Sequence, residues 1–142
     1  MRHVMVATDG SKGANRAVDV AAELAKALAG DLLIATVADT LLGEEARLLA
    51  RAEGSIGDAM EALMAQTLKT AEVRARHMGV SQVELRTGSG DVAQSLIDIA
   101  ASSSVEMVVL GRRGRGQLAG LLLGSVSQKL VSLAPCAVVV VP

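Results

Sequence analysis

Strand-like runs and helical stripes alternate along the whole chain, and this alternation constrains the fold more than any other feature. The runs cover residues 3–8, 32–37, 83–87, 105–110 and 136–141, and all but the third are almost wholly apolar, as strands buried on both faces are. Between them, apolar residues recur every three or four positions. Ala14, Ala17, Val18, Ala21, Leu24, Ala25 and Leu28 mark a first helix that Gly30 stops; Met60, Leu63, Met64, Thr67, Leu68 and Ala71 mark a second that runs to Gly79. A third carries Val92, Leu96, Ile99 and Ala100. The last carries Val126, Leu130, Leu133 and Ala134 and ends before Pro135. Residues 40–57 give a mixed signal broken by Gly43, Gly54 and Gly57 and read as a mobile connection. Five strands alternating with four helices predict an α/β protein: a five-stranded parallel, doubly wound, Rossmann-like sheet with right-handed crossovers and helices on both faces.

The chain has 142 residues, which suits one compact domain over 1–142. Net charge is −1, so any polyanion site must be local, and Arg112, Arg113 and Arg115 form the one candidate cluster. Phe, Tyr and Trp are absent, which removes the stacking platforms of single-strand and RNA binders and leaves a flavin no ring to stack on. No nucleic-acid partner is expected. Cys136 is the single cysteine, excluding an intrachain disulfide or a cysteine zinc site and fitting a reducing cytoplasm. Arg2 and Asp9 leave no room for a signal segment, and no uncharged run is long enough for a membrane span, so a soluble protein with no membrane partner is expected.

Residues 83–87 alternate apolar and polar, the pattern of a half-exposed edge strand. With that strand at one edge, the order becomes 3-2-1-4-5, and the first and fourth strands lie side by side. Ligands of such sheets bind at the carboxyl ends of those strands. Asp9 follows one of them. The other is followed by Gly111-Arg112-Arg113-Gly114 and, nine residues later, Gly124-Ser125-Val126-Ser127, where helical spacing begins. A glycine loop between a strand end and a helix start can hold a polyphosphate: the first amides of the helix are unclaimed, the helix dipole favours an anion, and a missing Cβ lets the chain approach. No lysine follows a glycine directly, so the P-loop pattern is absent. A dinucleotide-type fingerprint beginning at Gly114 lacks its immediate strand, its complete βαβ unit and its acidic residue.

Each crevice residue has an ordinary reading beside a functional one. Asp9 with Gly10 is a common turn pair ahead of a helix that Ser11 caps, and its carboxylate is also placed to accept hydrogen bonds from a ribose. Ser125 and Ser127 are ordinary helix-start residues, or residues whose hydroxyls and amides face the same anion as Gly114 and Gly124. The arginines are a solvated charge run, or one of them, with Arg113 the choice, reaches a phosphate. His3 and His77 have no catalytic partner, His77 reading as a helix C-terminal residue, and no serine has a His/Asp relay. No catalytic or metal-ligating residue is assigned.

Gly111, Gly114, Gly124, Ser125 and Ser127, with Val-Ala-Thr-Asp-Gly-Ser near the start and Ala-Pro-Cys-Ala-Val-Val-Val-Val near the end, make the whole chain resemble the nucleotide-binding branch of the universal stress proteins. The resemblance implies an adenine nucleotide alpha hydrolase-like fold. It places adenosine against Ala7, Thr8, Asp9 and Val37, ribose and first phosphates at Gly111 and Gly114, and the triphosphate tail at Gly124, Ser125, Val126 and Ser127. The implied ligand is ATP, with ADP or AMP as other resident forms and Mg2+ held by the phosphates. Ala137 stands where the family often has proline, which touches no ligand contact, and a proline common in the family is missing between Gly88 and Asp91, which implies a looser turn there.

The expected role is an ATP-binding regulatory or stress-response switch with slow or no turnover. The competing reading is a nucleotide-free structural or interaction dimer of the same fold. A phosphoacceptor receiver needs an Asp after the third strand, where this chain has Thr87-Gly88. An adenylylating enzyme needs His or Lys near the phosphates, and none is visible. The last strand is apolar on both faces yet falls at a sheet edge, which predicts a homodimer through Val138, Val139 and Val140.

Overall fold

The computed structural model describes residues 3–38, 56–112 and 123–142, with backbone alone at 56 and 57. In chain order the elements are β1 (His3–Ala7), α1 (Lys12–Ala27), β2 (Asp31–Val37), α2 (Ile56–His77), β3 (Val83–Gly88), α3 (Val92–Ser102), β4 (Met107–Gly111), α4 (Ser125–Leu133) and β5 (Ala137–Val141). The sheet order is β3-β2-β1-β4-β5 and every pairing is parallel, as the strand patterns predict.

Strand side chains alternate between two cores. Val4, Val6, Leu32, Ile34 and Val109 meet α1 and α2 on one face, while Met5, Leu33, Ala35, Val37, Val108 and Leu110 meet Leu96 and Ala100 of α3 and Leu130 of α4 on the other. This is why the central strands carry no polar alternation. The buried stripe of α1 is nearly all alanine (Ala14, Ala17, Ala21, Ala22, Ala25), so the helix axis can approach the sheet closely without aromatic bulk to fill the gap. Ser11 starts α1 as its cap, its Oγ accepting the Ala14 N–H at 3.2 Å. Bidentate Arg74–Asp19 contacts of 2.6 and 2.8 Å tie α2 to α1.

Three local expectations change. The residue that turns the chain out of α1 is Ala29, at φ 54, and Gly30 follows it, donating to the Ala25 carbonyl at 2.9 Å. Alanine can take this left-handed position at a cost of about 1–2 kcal/mol, which the closing bonds of the helix end offset. Gly79, at φ 99, ends the second helix as expected. That helix begins at Ile56, so Gly57 lies in its first turn rather than in the connection; residues 39–55 are outside the described residues. β3 is an edge strand, but exposed on both faces from Glu84 to Thr87: Leu85 on the α2 side is 37% exposed, and Glu84 pairs with Arg86 on the other side.

Candidate functional site

The register of the two central strands assembles the site. Val6 lies beside Val109, so the turn after β1 and the loop after β4 leave the sheet next to each other. Thr8 carries the ladder one step beyond β1, its N–H donating to the Ala35 carbonyl at 2.9 Å. Its hydroxyl accepts the Gly10 N–H at 3.2 Å, and Asp9 Oδ1 accepts the Ser11 N–H at 2.9 Å. Together these bonds form the sharp exit from the strand. Gly10 sits there at φ 81, a conformation that a side chain would strain. Thr8 and Asp9, just past the carboxyl end of β1, are buried, with Asp9 9% exposed. Val37 ends β2 on the α3 side of the sheet, fully packed.

On the β4 side, the chain is pinned by backbone and by one hydroxyl. The Arg112 N–H donates to the Val141 carbonyl at 2.7 Å, and the Gly124 N–H donates to the Arg112 carbonyl at 2.9 Å. Ser127 Oγ lies 2.8 Å from the Arg112 carbonyl and 3.1 Å from that of Gly111. The start of α4 is thereby fixed to the end of β4. Gly124 is the cap residue of α4 and makes no side-chain cap bond. Gly124 therefore offers the amides of Ser125, Val126 and Ser127 no side-chain acceptor of its own, and first-turn amides have no intrahelical carbonyl. With φ −75, Gly124 has a conformation open to any residue, so what it contributes is the absence of a Cβ over those amides.

The two serines do not act alike. Ser125 is exposed at the helix tip, whereas Ser127 is 2% exposed with its hydroxyl turned into the β4 carbonyls. Residues two apart on a helix point about 200° apart, so both hydroxyls cannot face one anion. The expectation that the Ser127 hydroxyl faces the anion is corrected: it holds the loop, and its amide belongs to the uncapped first turn. Arg113 and Gly114 lie outside the described residues. Ala7, Thr8, Asp9, Val37, Gly111, Gly124, Ser125, Val126 and Ser127 all sit at the carboxyl end of the sheet or on the turns leaving it.

Side chains that read as non-catalytic are engaged elsewhere. His3 Nδ1 meets Asp31 Oδ1 at 2.5 Å at the amino ends of β1 and β2, opposite the crevice, and His77 is the last residue of α2. Burial pushes the Cys136 thiol up, away from the reactive thiolate, with a smaller opposing effect from a backbone hydrogen bond at Val108. Among the described residues no cluster of three or more His, Cys, Asp or Glu could hold a metal ion, and no helix is long and apolar enough to cross a membrane. One feature carried no sequence signal: Arg112 Nε is shut from solvent and has no hydrogen-bond partner.

Strand order and site geometry place the chain among the doubly wound α/β proteins whose ligands enter at the carboxyl ends of the central strands. The chain belongs to the universal stress protein family, which it matches over residues 1–142. A universal stress protein encoded in the 3' region of the QAH/OAS sulfhydrylase of Thermus aquaticus is 32% identical, over 97% of this chain and 96% of its own. Universal stress protein YxiE of Bacillus subtilis is 31% identical, over 97% of each chain. Among solved structures, a universal stress protein in complex with cAMP is 28% identical and superposes with a TM-score of 0.73 over 99% of this chain and 95% of its own. The dAMP complex from Archaeoglobus fulgidus has the same fold, with a TM-score of 0.76, 20% identity, and coverage of 100% of this chain and 98% of its own.

Proposed function

We propose that this chain binds an adenine nucleotide, ATP in the first instance, in the crevice between the β1 turn and the start of α4, and acts as a nucleotide-dependent switch in a cytoplasmic stress response. The observation that carries the reading is the convergence of two distant segments. The β1–β4 pairing brings the turn that carries buried Asp9 and the end of β4 out of the sheet side by side, and the helix after β4 has glycine as its cap residue. Amides at a helix start favour a phosphate, and a carboxylate accepts hydrogen bonds from ribose hydroxyls. The relative at 28% identity that holds cAMP supports an adenine ligand.

In this reading adenosine lies against Ala7, Thr8, Asp9 and Val37, and the phosphates pass from Gly111, Arg113 and Gly114 to Gly124, Ser125, Val126 and Ser127. The cation is carried by the phosphates rather than by a protein cage. The reading gives no residue of the site the role of general base, so turnover is expected to be slow and the bound state itself is the signal. The unit over 1–142 pairs with a second copy through β5, whose Val138, Val139 and Val140 are only partly covered in the single chain. The test is to denature freshly purified protein and identify any released small molecule by mass spectrometry. Stoichiometric adenine nucleotide is expected; a clean protein that also fails to take up ATP favours a structural dimer with an empty crevice.

A further inference from the structure

The outer edge of β3 complements itself. The Leu32 N–H donates to the Gln82 carbonyl at 2.9 Å, and Leu32 lies opposite Val83 in the parallel register. In such a ladder the backbone groups of Gln82, Glu84 and Arg86 point at β2, while those of Val83, Leu85 and Thr87 point outward. No described strand lies on that side. The strand is exposed from Glu84 to Thr87: on the α2 face Leu85 lines a groove with Met64, Ala65 and Leu68, and on the other face Arg86 pairs with Glu84 at 2.7 Å. Opposite charges thus stand two positions apart on one face, with a leucine between them on the other. An uncovered edge of this kind is a template for another strand.

We propose that β3 is a self-recognition edge whose occupant is β3 of a second copy, antiparallel, around a two-fold axis at Leu85. In this register Val83 faces Thr87 of the second copy and Leu85 faces its counterpart, and each such pair of outward-pointing residues exchanges two backbone hydrogen bonds. Glu84 faces Arg86 of the second copy and Arg86 faces its Glu84, at the positions between them where side chains stand closest. The four charges then alternate in sign around the axis. Charge also fixes the register, because an axis at Glu84 would set two glutamates opposite each other and one at Arg86 two arginines. On the α2 face the two leucines meet across the axis. This edge is the far one from β5 in the sheet order, so its pairing is separate from a dimer through Val138, Val139 and Val140 and would extend that dimer into longer assemblies. One short strand a side makes a small interface, and the association is weak and concentration-dependent.

Sedimentation equilibrium of wild type, Glu84→Arg, Arg86→Glu, the double variant carrying both changes and an equimolar mixture of the two single variants tests this, read by interference optics because the chain has no aromatic residue. The changes fall on an exposed ion pair that carries little stability, and circular dichroism verifies folding. Wild type should gain mass as its concentration rises. Each single variant should associate about tenfold or more weakly, since two cross-strand pairs turn repulsive at once, whereas the double variant and the mixture should recover the wild-type association. Single variants that associate as wild type does overturn the proposal and place any dimer at another surface. A mixture and a double variant that recover nothing also overturn it, as does a wild type whose mass does not rise with concentration.

Discussion

Replacing Ser127 by alanine removes one hydroxyl from the point where α4 meets β4, and the structure sets the size of the effect. The hydroxyl has one proton and two carbonyls in reach, Arg112 at 2.8 Å and Gly111 at 3.1 Å, so it makes one good bond or one shared bond, not two. The Arg112 carbonyl keeps its second partner, the Gly124 N–H at 2.9 Å, and is not orphaned when the hydroxyl goes. The loss should therefore be that of one neutral hydrogen bond, about 1 kcal/mol, rather than the larger penalty of an unsatisfied buried group, up to about 3 kcal/mol. For a chain of this length that corresponds to a melting point lower by about 2–4 °C. The chain has no Trp or Tyr, so unfolding is followed by far-ultraviolet circular dichroism. Ser125→Ala is the control: the side chain is exposed, and the change should stay within about 0.5 kcal/mol. If Ser127→Ala melts with or above the wild type, or if Ser125→Ala costs as much, the hydroxyl does not pin the loop.

Other consequences are as specific. Thr36 is 1% exposed and its hydroxyl has no partner, so Thr36→Val should raise stability by about 1 kcal/mol in urea denaturation, and a loss would show that the hydroxyl is satisfied. Asp19 is held below the usual carboxylate range chiefly by the Arg74 hydrogen bonds, with partial burial opposing and the Arg74 charge adding. A lowered folded-state value stabilises above the unfolded pKa of about 3.9 and is lost as pH falls through the folded value. Arg74→Ala should thus cost under about 1 kcal/mol at pH 7, given how exposed the pair is, and less as pH falls through the folded-state value of Asp19; a cost that does not shrink in acid would contradict the pairing. Val139→Lys should convert a dimer seen by light scattering into monomer or aggregate, while an unaffected dimer moves the interface away from β5.

The sheet order was readable because each strand reports its own neighbours. Leu32 to Val37 have no polar alternation because both faces of β2 are covered, and Val83 to Thr87 alternate because β3 is not enclosed. The turn at Asp9 and Gly10 and the Gly124 cap were readable for the same reason: both are local chemistry, set by residues adjacent in sequence. What escaped was tertiary. That Ser127 bonds to carbonyls 15 and 16 positions away, and so turns from the anion, depends on where α4 lands on β4. The solitary Nε of Arg112 depends on which groups fail to reach it, and nothing in an arginine-rich loop announces that. Ala29 in a left-handed turn escaped because propensity points to the glycine beside it, while the helix end accepts either residue if its carbonyls are closed.

The central claim is that a nucleotide's phosphates lie over the bare start of α4, and calorimetric titration of ATP into wild type and Gly124→Val tests it most directly. Gly124 has a φ any residue can adopt, so valine places a side chain over the Ser125 to Ser127 amides without demanding a forbidden backbone. With folding verified by circular dichroism, the account predicts measurable ATP binding to wild type and affinity weakened by well over about tenfold in the variant, more than 1.4 kcal/mol of binding free energy. Equal affinity of the two proteins for ATP would contradict it.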